Sequence, residues 1–124
     1  MYRSMFQVYV KNSVEAAKFY QKAFDAKFEC EYFDDDKKFY FHAELNIYGQ
    51  IFAICELPNQ EPTTGNTMQF CIHFGEGNAD KVYKAYEVLK EGAQPHEPVS
   101  DSFGYSKHAF ALIDKYGVSW CVYE

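Results

Sequence analysis

Apolar and polar positions follow two rhythms along the 124 residues, and the two occur in the same order twice. In Phe6-Gln7-Val8-Tyr9-Val10 the aliphatic and Phe positions recur every second residue, which predicts a strand with one face buried. The period then changes. Ala16, Phe19, Tyr20, Ala23 and Phe24 fall at i, i+3, i+4, i+7 and i+8, the buried stripe of a helix packed on a sheet. That helix begins at Asn12 or Ser13, whose side chains can accept hydrogen bonds from free N–H groups of the first turn. Three strand-like segments follow, up to residue 57. A second strand then opens at residue 69, and a second helix starts at Asn78 with Ala79, Val82, Tyr83, Tyr86 and Leu89 on one face. Gly92 stops it. Val10–Tyr20 and Phe74–Lys84 thus hold equivalent places in two halves.

Between the halves, Leu57 to Thr67 contains Pro58, Pro62, Gly65 and mostly polar residues, a linker by composition. A chain of this length is the usual size of one compact domain. The prediction is therefore a single α+β domain over 1–124. Module one covers about 5–57, the linker 58–67 and module two 68–124. Each module is βαβββ, and the two form a curved mixed sheet around a shared cavity.

Strand parity sorts the side chains, because successive residues point to opposite faces. Phe6, Val8 and Val10 go under the helices and Met5, Gln7 and Tyr9 oppose them. In the second half Phe70, Ile72 and Phe74, with Val118, Trp120 and Val122, go under the helix. Gln69, Cys71, His73, Ser119, Cys121 and Tyr123 then face away. The closing strand of the first half divides into Ile51, Ala53, Cys55 and Leu57 against Phe52, Ile54 and Glu56, and the second set is assigned to the cavity. The predicted ligand-binding residues are Met5, Gln7, Phe52, Ile54, Glu56, Gln69, Cys71, His73, Cys121 and Tyr123. Apolar walls with a few polar groups suit a small-molecule ligand.

Composition narrows the partners. An aromatic fraction of 19% argues for a folded, sheet-rich protein and suits a lined pocket. A net charge of -6 and the lack of any Lys/Arg run work against nucleic-acid binding. The one dense charge block, Asp34 to Lys38, reads as a solvated hairpin turn. Cys30, Cys55, Cys71 and Cys121 lack the spacing of a zinc ribbon or redox motif, so reduced, mostly buried thiols in a cytoplasmic protein are expected. No leader-like or membrane-length apolar run is present, and no membrane partner is expected.

With these elements placed, the chain resembles the vicinal oxygen chelate superfamily, which includes glyoxalase I, extradiol dioxygenases and the bleomycin and fosfomycin resistance proteins. The resemblance rests on the paired modules, on Ala16-Ala17-Lys18-Phe19-Tyr20-Gln21-Lys22-Ala23-Phe24, and on Asp114-Lys115-Tyr116-Gly117-Val118-Ser119-Trp120, which is similar to the family's D-x-x-G-x-x-W ending. His42-Ala43-Glu44-Leu45 and Phe103-Gly104 are similar to the PhnB-like branch. The resemblance implies a glyoxalase-like fold and a homodimer. In metal-dependent relatives it implies one ligand from each opening and closing strand, positions that fall here on Met5, Gln69, Glu56 and Cys121. Only Glu56 is a strong ligand type for a Lewis-acidic divalent ion, so no cofactor is expected and a divalent metal is the lesser alternative. A slip of two residues would bring in Gln7 or His73.

Two functions stay open. The leading one is metal-independent binding of a small, partly aromatic ligand, similar to the family's drug-sequestering members. The alternative is a metal-dependent lyase, isomerase or dioxygenase-type enzyme on a substrate with vicinal oxygens, with Glu56 as ligand or general base. An ordinary strand-end carboxylate is the commoner reading of Glu56, as a hydrogen-bonded or exposed side chain is for His42 and His108. His96, between Pro95 and Pro98, reads as a loop residue. Cys71 and Cys121 have no basic partner in sequence and read as inert thiols.

Overall fold

The structure is a computed structural model describing residues 1–65, 67–101, 104 and 106–124, so Phe103 lies outside the described residues. The chain divides into two compact units, Met1–Thr63 and Thr64–Glu124. The first runs β1 (Phe6–Tyr9), α1 (Ser13–Phe24), β2 (Lys27–Phe33), β3 (Tyr40–Ile47), β4 (Gln50–Cys55). Its sheet has the order β1-β4-β3-β2, with β1 parallel to β4 and the other pairs antiparallel. The second runs β5 (Phe70–His73), α2 (Ala79–Leu89), β6 (Ala109–Ile113), β7 (Ser119–Tyr123), in the order β5-β7-β6 with β5 parallel to β7.

The α+β class and the first βαβββ module match the sequence reading. The second module is one strand short among the described residues. Where its second strand is expected, between α2 and β6, the described residues form two isolated bridges, His96 to Leu112 and Ser100 to Ala109. Pro95 and Pro98 lie in that stretch and have no N–H to give a ladder, which explains the interruption.

Both helices bury most of the predicted stripe. On α1, Ala16, Ala17, Tyr20, Ala23 and Phe24 are buried while Phe19 is only half-buried. The Tyr20 ring meets Phe52 edge-on at 5.2 Å, and Phe52 stacks on Phe6 at 5.8 Å. On α2, Val82, Ala85, Tyr86 and Leu89 are buried and Tyr83 is exposed. Tyr86 meets Phe110 edge-on at 5.2 Å. Burying each such ring contributes about 1.5–3 kcal/mol.

Two carboxylates build turns. Asp34 accepts the backbone N–H groups of Asp36, Lys38 and Phe39, closing the turn between β2 and β3 as the charge pattern predicts. Asp114, buried at 4% exposure, accepts the N–H of Tyr116 and Val118 and the indole N–H of Trp120 at 2.8 Å. Gly117 completes this turn at φ 88, where a Cβ would stand 2.4 Å from Thr64 Oγ1. The D-x-x-G-x-x-W motif is thus a folding device that locks the β6–β7 turn to the core tryptophan.

Candidate polar centre on the first sheet

Register decides which side chains share a face. In the parallel β1–β4 pair, Phe6 sits opposite Phe52, Gln7 opposite Ala53, Val8 opposite Ile54 and Tyr9 opposite Cys55. Phe52 and Ile54 therefore lie with Phe6 and Val8 on the α1 side, fully buried, and the expected partition of β4 is reversed. The open face instead carries Gln7, Tyr9, Ala53 and Cys55. Gln7 donates to the Tyr9 hydroxyl at 3.0 Å, and half-buried Met5 precedes this strand. Tyr9 also lines a groove of about 490 Å³ with Leu57, Gln60, Glu61 and Pro62.

Glu56 follows β4 and turns to the helix. Its Oε1 accepts the Ser13 backbone N–H at 2.9 Å, while Asn12, at φ 56, makes no side-chain cap. The Ser13 hydroxyl in turn accepts the Tyr40 N–H at 2.8 Å. A carboxylate at a helix N-terminus satisfies a free donor and meets the positive end of the helix dipole. Glu56 is thus a helix cap, and the chemistry assigned to it in sequence has no geometric support.

The open face holds a different set. Cys30 pairs across β2–β3 with Glu44, Tyr32 pairs with His42, and Glu44 pairs across β3–β4 with Ala53. Glu44 has 6% exposure, rare for a carboxylate unless it is paired. Its two oxygens accept from Arg3 Nη1 at 2.8 Å and Nη2 at 2.9 Å, a bidentate fork. Oε2 also takes a hydrogen bond from His42 Nε2 at 2.8 Å. His42 Nδ1 lies 3.4 Å from Cys55 Sγ. These contacts assign the tautomer with the proton on Nε2, leaving Nδ1 to accept from the thiol. Arg3 first and then His42 hold the Glu44 carboxyl down at about 2, against the upward push of burial. Burial raises both the Cys55 and the Cys30 thiols, and the Glu44 charge adds to each.

In the second unit the predicted partition holds. Cys71 pairs with Cys121 and His73 with Tyr123 across β5–β7, so the four share the face away from Trp120 and Val122. The His73 and Tyr123 rings stack at 4.5 Å. Gln69 reaches the Trp120 carbonyl at 3.5 Å and the Cys71 thiol at 3.9 Å. Cys71 is exposed rather than buried, and burial followed by the neighbouring Cys121 thiol raises its pKa. His108 bonds Glu124, while His96 is an exposed bridge residue.

The ligand set that the family implies does not fit a divalent metal. Glu56 meets the Ser13 N–H through Oε1 at the helix start, and beside this one carboxylate stand only a thioether, an amide and a thiol. Cys30, His42 and Glu44 do place donor atoms within 4.8 Å of one another. Sequence reasoning kept His42 as a lesser candidate and did not single out Arg3, Cys30 or Cys55. Two signals were available: His42 and Glu44 share parity in one strand, and Arg3 is the chain's single arginine.

Comparison with known proteins places the fold. Among solved structures, the PhnB protein from Bacillus cereus, a 3-demethylubiquinone-9 3-methyltransferase by description, superposes with a TM-score of 0.80 at 21% identity, covering 98% of each chain. A gene product of Arabidopsis thaliana gives 0.67 at 24% identity over 100% of this chain and 98% of that one. The fosfomycin resistance protein FosX from Listeria monocytogenes gives 0.70 at 14% identity over 98% and 91%. These likenesses establish the fold. No curated protein matches the sequence. The family model spans residues 4–122, and the chain belongs to the Glyoxalase/Bleomycin resistance protein/Dioxygenase superfamily.

Proposed function

We propose that this protein binds a small, partly aromatic molecule on the open face of its first sheet, without the family's metal set. One observation carries the reading: the buried Glu44 carboxylate, fixed by Arg3 and His42 on a face where Tyr9 and Tyr32 are exposed at 48% and 62%. Burying a charge costs desolvation, and a carboxylate shifted this strongly by named partners is a functional-site candidate. Arg3 is half-exposed and spends only part of its donor fork on Glu44, so it can also meet a carboxylate or carbonyl. The tyrosines supply flat apolar area. The stacked His73–Tyr123 pair in the second unit is a further aromatic surface of the same kind. The four cysteines form no disulfide with one another, which suits a reducing, cytoplasmic compartment.

A thermal-shift panel of aromatic carboxylic acids tests this, because a ligand that binds only the folded state raises the melting temperature by mass action. A shift in the wild type that falls by half or more in Tyr32→Ala and in Arg3→Gln, and survives Glu56→Gln, is expected. Equal shifts in all four proteins would place the ligand elsewhere. No contact favours the metal-dependent alternative through Glu56, whose Oε1 accepts the Ser13 N–H at the start of α1.

A further inference from the structure

We infer that Cys30, His42 and Glu44 form a site for a divalent metal of the zinc class, in which Arg3 is the resident cation that the metal displaces. This goes beyond the small-molecule reading and does not rest on it, and it runs against the sequence expectation of no cofactor. The three donor atoms lie within 4.8 Å of one another, and ligand atoms around tetrahedral zinc stand roughly 3–4 Å apart, so closure needs only side-chain adjustment. Thiolate, imidazole and carboxylate are a set that zinc accepts and that magnesium or calcium does not favour. Three protein ligands leave a fourth position open.

Strand pairing brings the three donors together. Cys30 and Glu44 are cross-strand partners of β2 and β3, and His42 lies two residues before Glu44 on the same face. The site already selects positive charge, since Glu44, with 7% of its side chain exposed, holds the guanidinium in both oxygens. Arg3 precedes β1 and is 46% exposed, so it can withdraw into water without opening a strand. Ligation uses the other tautomer: the ring proton passes from Nε2 to Nδ1 by exchange with water, Nε2 binds the ion, and Nδ1–H donates to Cys55 Sγ, an outer contact of the kind that orients a metal-bound imidazole. The set comes wholly from β2 and β3, the second and third strands of the unit in chain order, unlike the opening and closing strands that the family uses.

Cobalt(II) chloride titrated into reduced, chelator-stripped protein without a tag reads the site directly. The expected result is a single equivalent with thiolate-to-cobalt absorption in the near ultraviolet. The band is absent in Cys30→Ser and kept in Cys71→Ser, and the affinity is tighter by about tenfold in Arg3→Gln. Circular dichroism checks each fold, and His42→Gln gives the same readout should Cys30→Ser not fold. No band in either the wild type or Arg3→Gln overturns the inference. So does a band that survives Cys30→Ser and disappears in Cys71→Ser. Unchanged affinity in Arg3→Gln overturns the role of Arg3.

Discussion

The two units end their sheets alike and differ in what they carry on the open face. In each, the residue just after the last strand is a glutamate that reaches back to the start of the helix: Glu56 accepts the Ser13 N–H at 2.9 Å and Glu124 the Gly77 N–H at 3.1 Å. The repeat has kept this carboxylate because each helix begins with unsatisfied donors and neither Asn12 nor Asn78 caps with its side chain. The faces have diverged. The first holds a part-buried Arg3–Glu44–His42 network, and the second holds exposed Cys71 and a stacked His73–Tyr123 pair. What repeats is framework, and the polar groups on the faces are where the units differ.

The largest test falls on the framework of the second unit. Asp114→Ala leaves the Trp120 indole and two turn N–H groups without their acceptor and should destabilise by about 3 kcal/mol or more. Denaturant unfolding followed by the fluorescence of Trp120, the chain's single tryptophan, measures this. A loss below about 1 kcal/mol would show that the motif is not what locks the turn. Next in size is Glu44→Ala, with a cost of about 1–3 kcal/mol, since Arg3 can return to water but His42 loses its acceptor. Chemical melts of wild type and variant give the number.

Smaller again is Glu56→Gln, about 1 kcal/mol, the value of a helix-start carboxylate; its melt should fall by this amount without loss of any ligand-induced shift. Acid sharpens the same comparison in the second unit. The His108 hydrogen bond first, and then the Gly77 N–H, hold Glu124 below its ordinary value of 4.5. A depressed folded pKa gives stability that is full above about pH 4.5 and is lost as pH falls through the folded value. His108→Ala should therefore flatten the acid limb of a pH-melting profile, and an unchanged limb would sever that link.

Much of this was legible in the sequence. The helical stripes, the repeat and the Asp34 turn follow from period and turn chemistry, and the faces of β5 and β7 from clean alternation. β4 was not legible, because Ile51-Phe52-Ala53-Ile54-Cys55 is apolar on both sides and its parity has no sign until β1 sets the register. Tyr83 and Phe19 were read as buried because rings at the edge of a stripe cannot be told from rings at its centre. Arg3 lies before the first strand, where no periodicity reaches, and the bond it makes spans 41 positions. The centre was hidden for that reason although His42 and Glu44 stood in plain alternation.

The account stands on Glu44 being a charge held in a built network. A pH titration of carbon-13-labelled glutamate side chains by NMR, in wild type and Arg3→Gln, tests this most directly. The account predicts a Glu44 midpoint near 2 that climbs towards 4.5 when Arg3 is removed. A Glu44 midpoint in the ordinary carboxylate range, unmoved by Arg3→Gln, would contradict it.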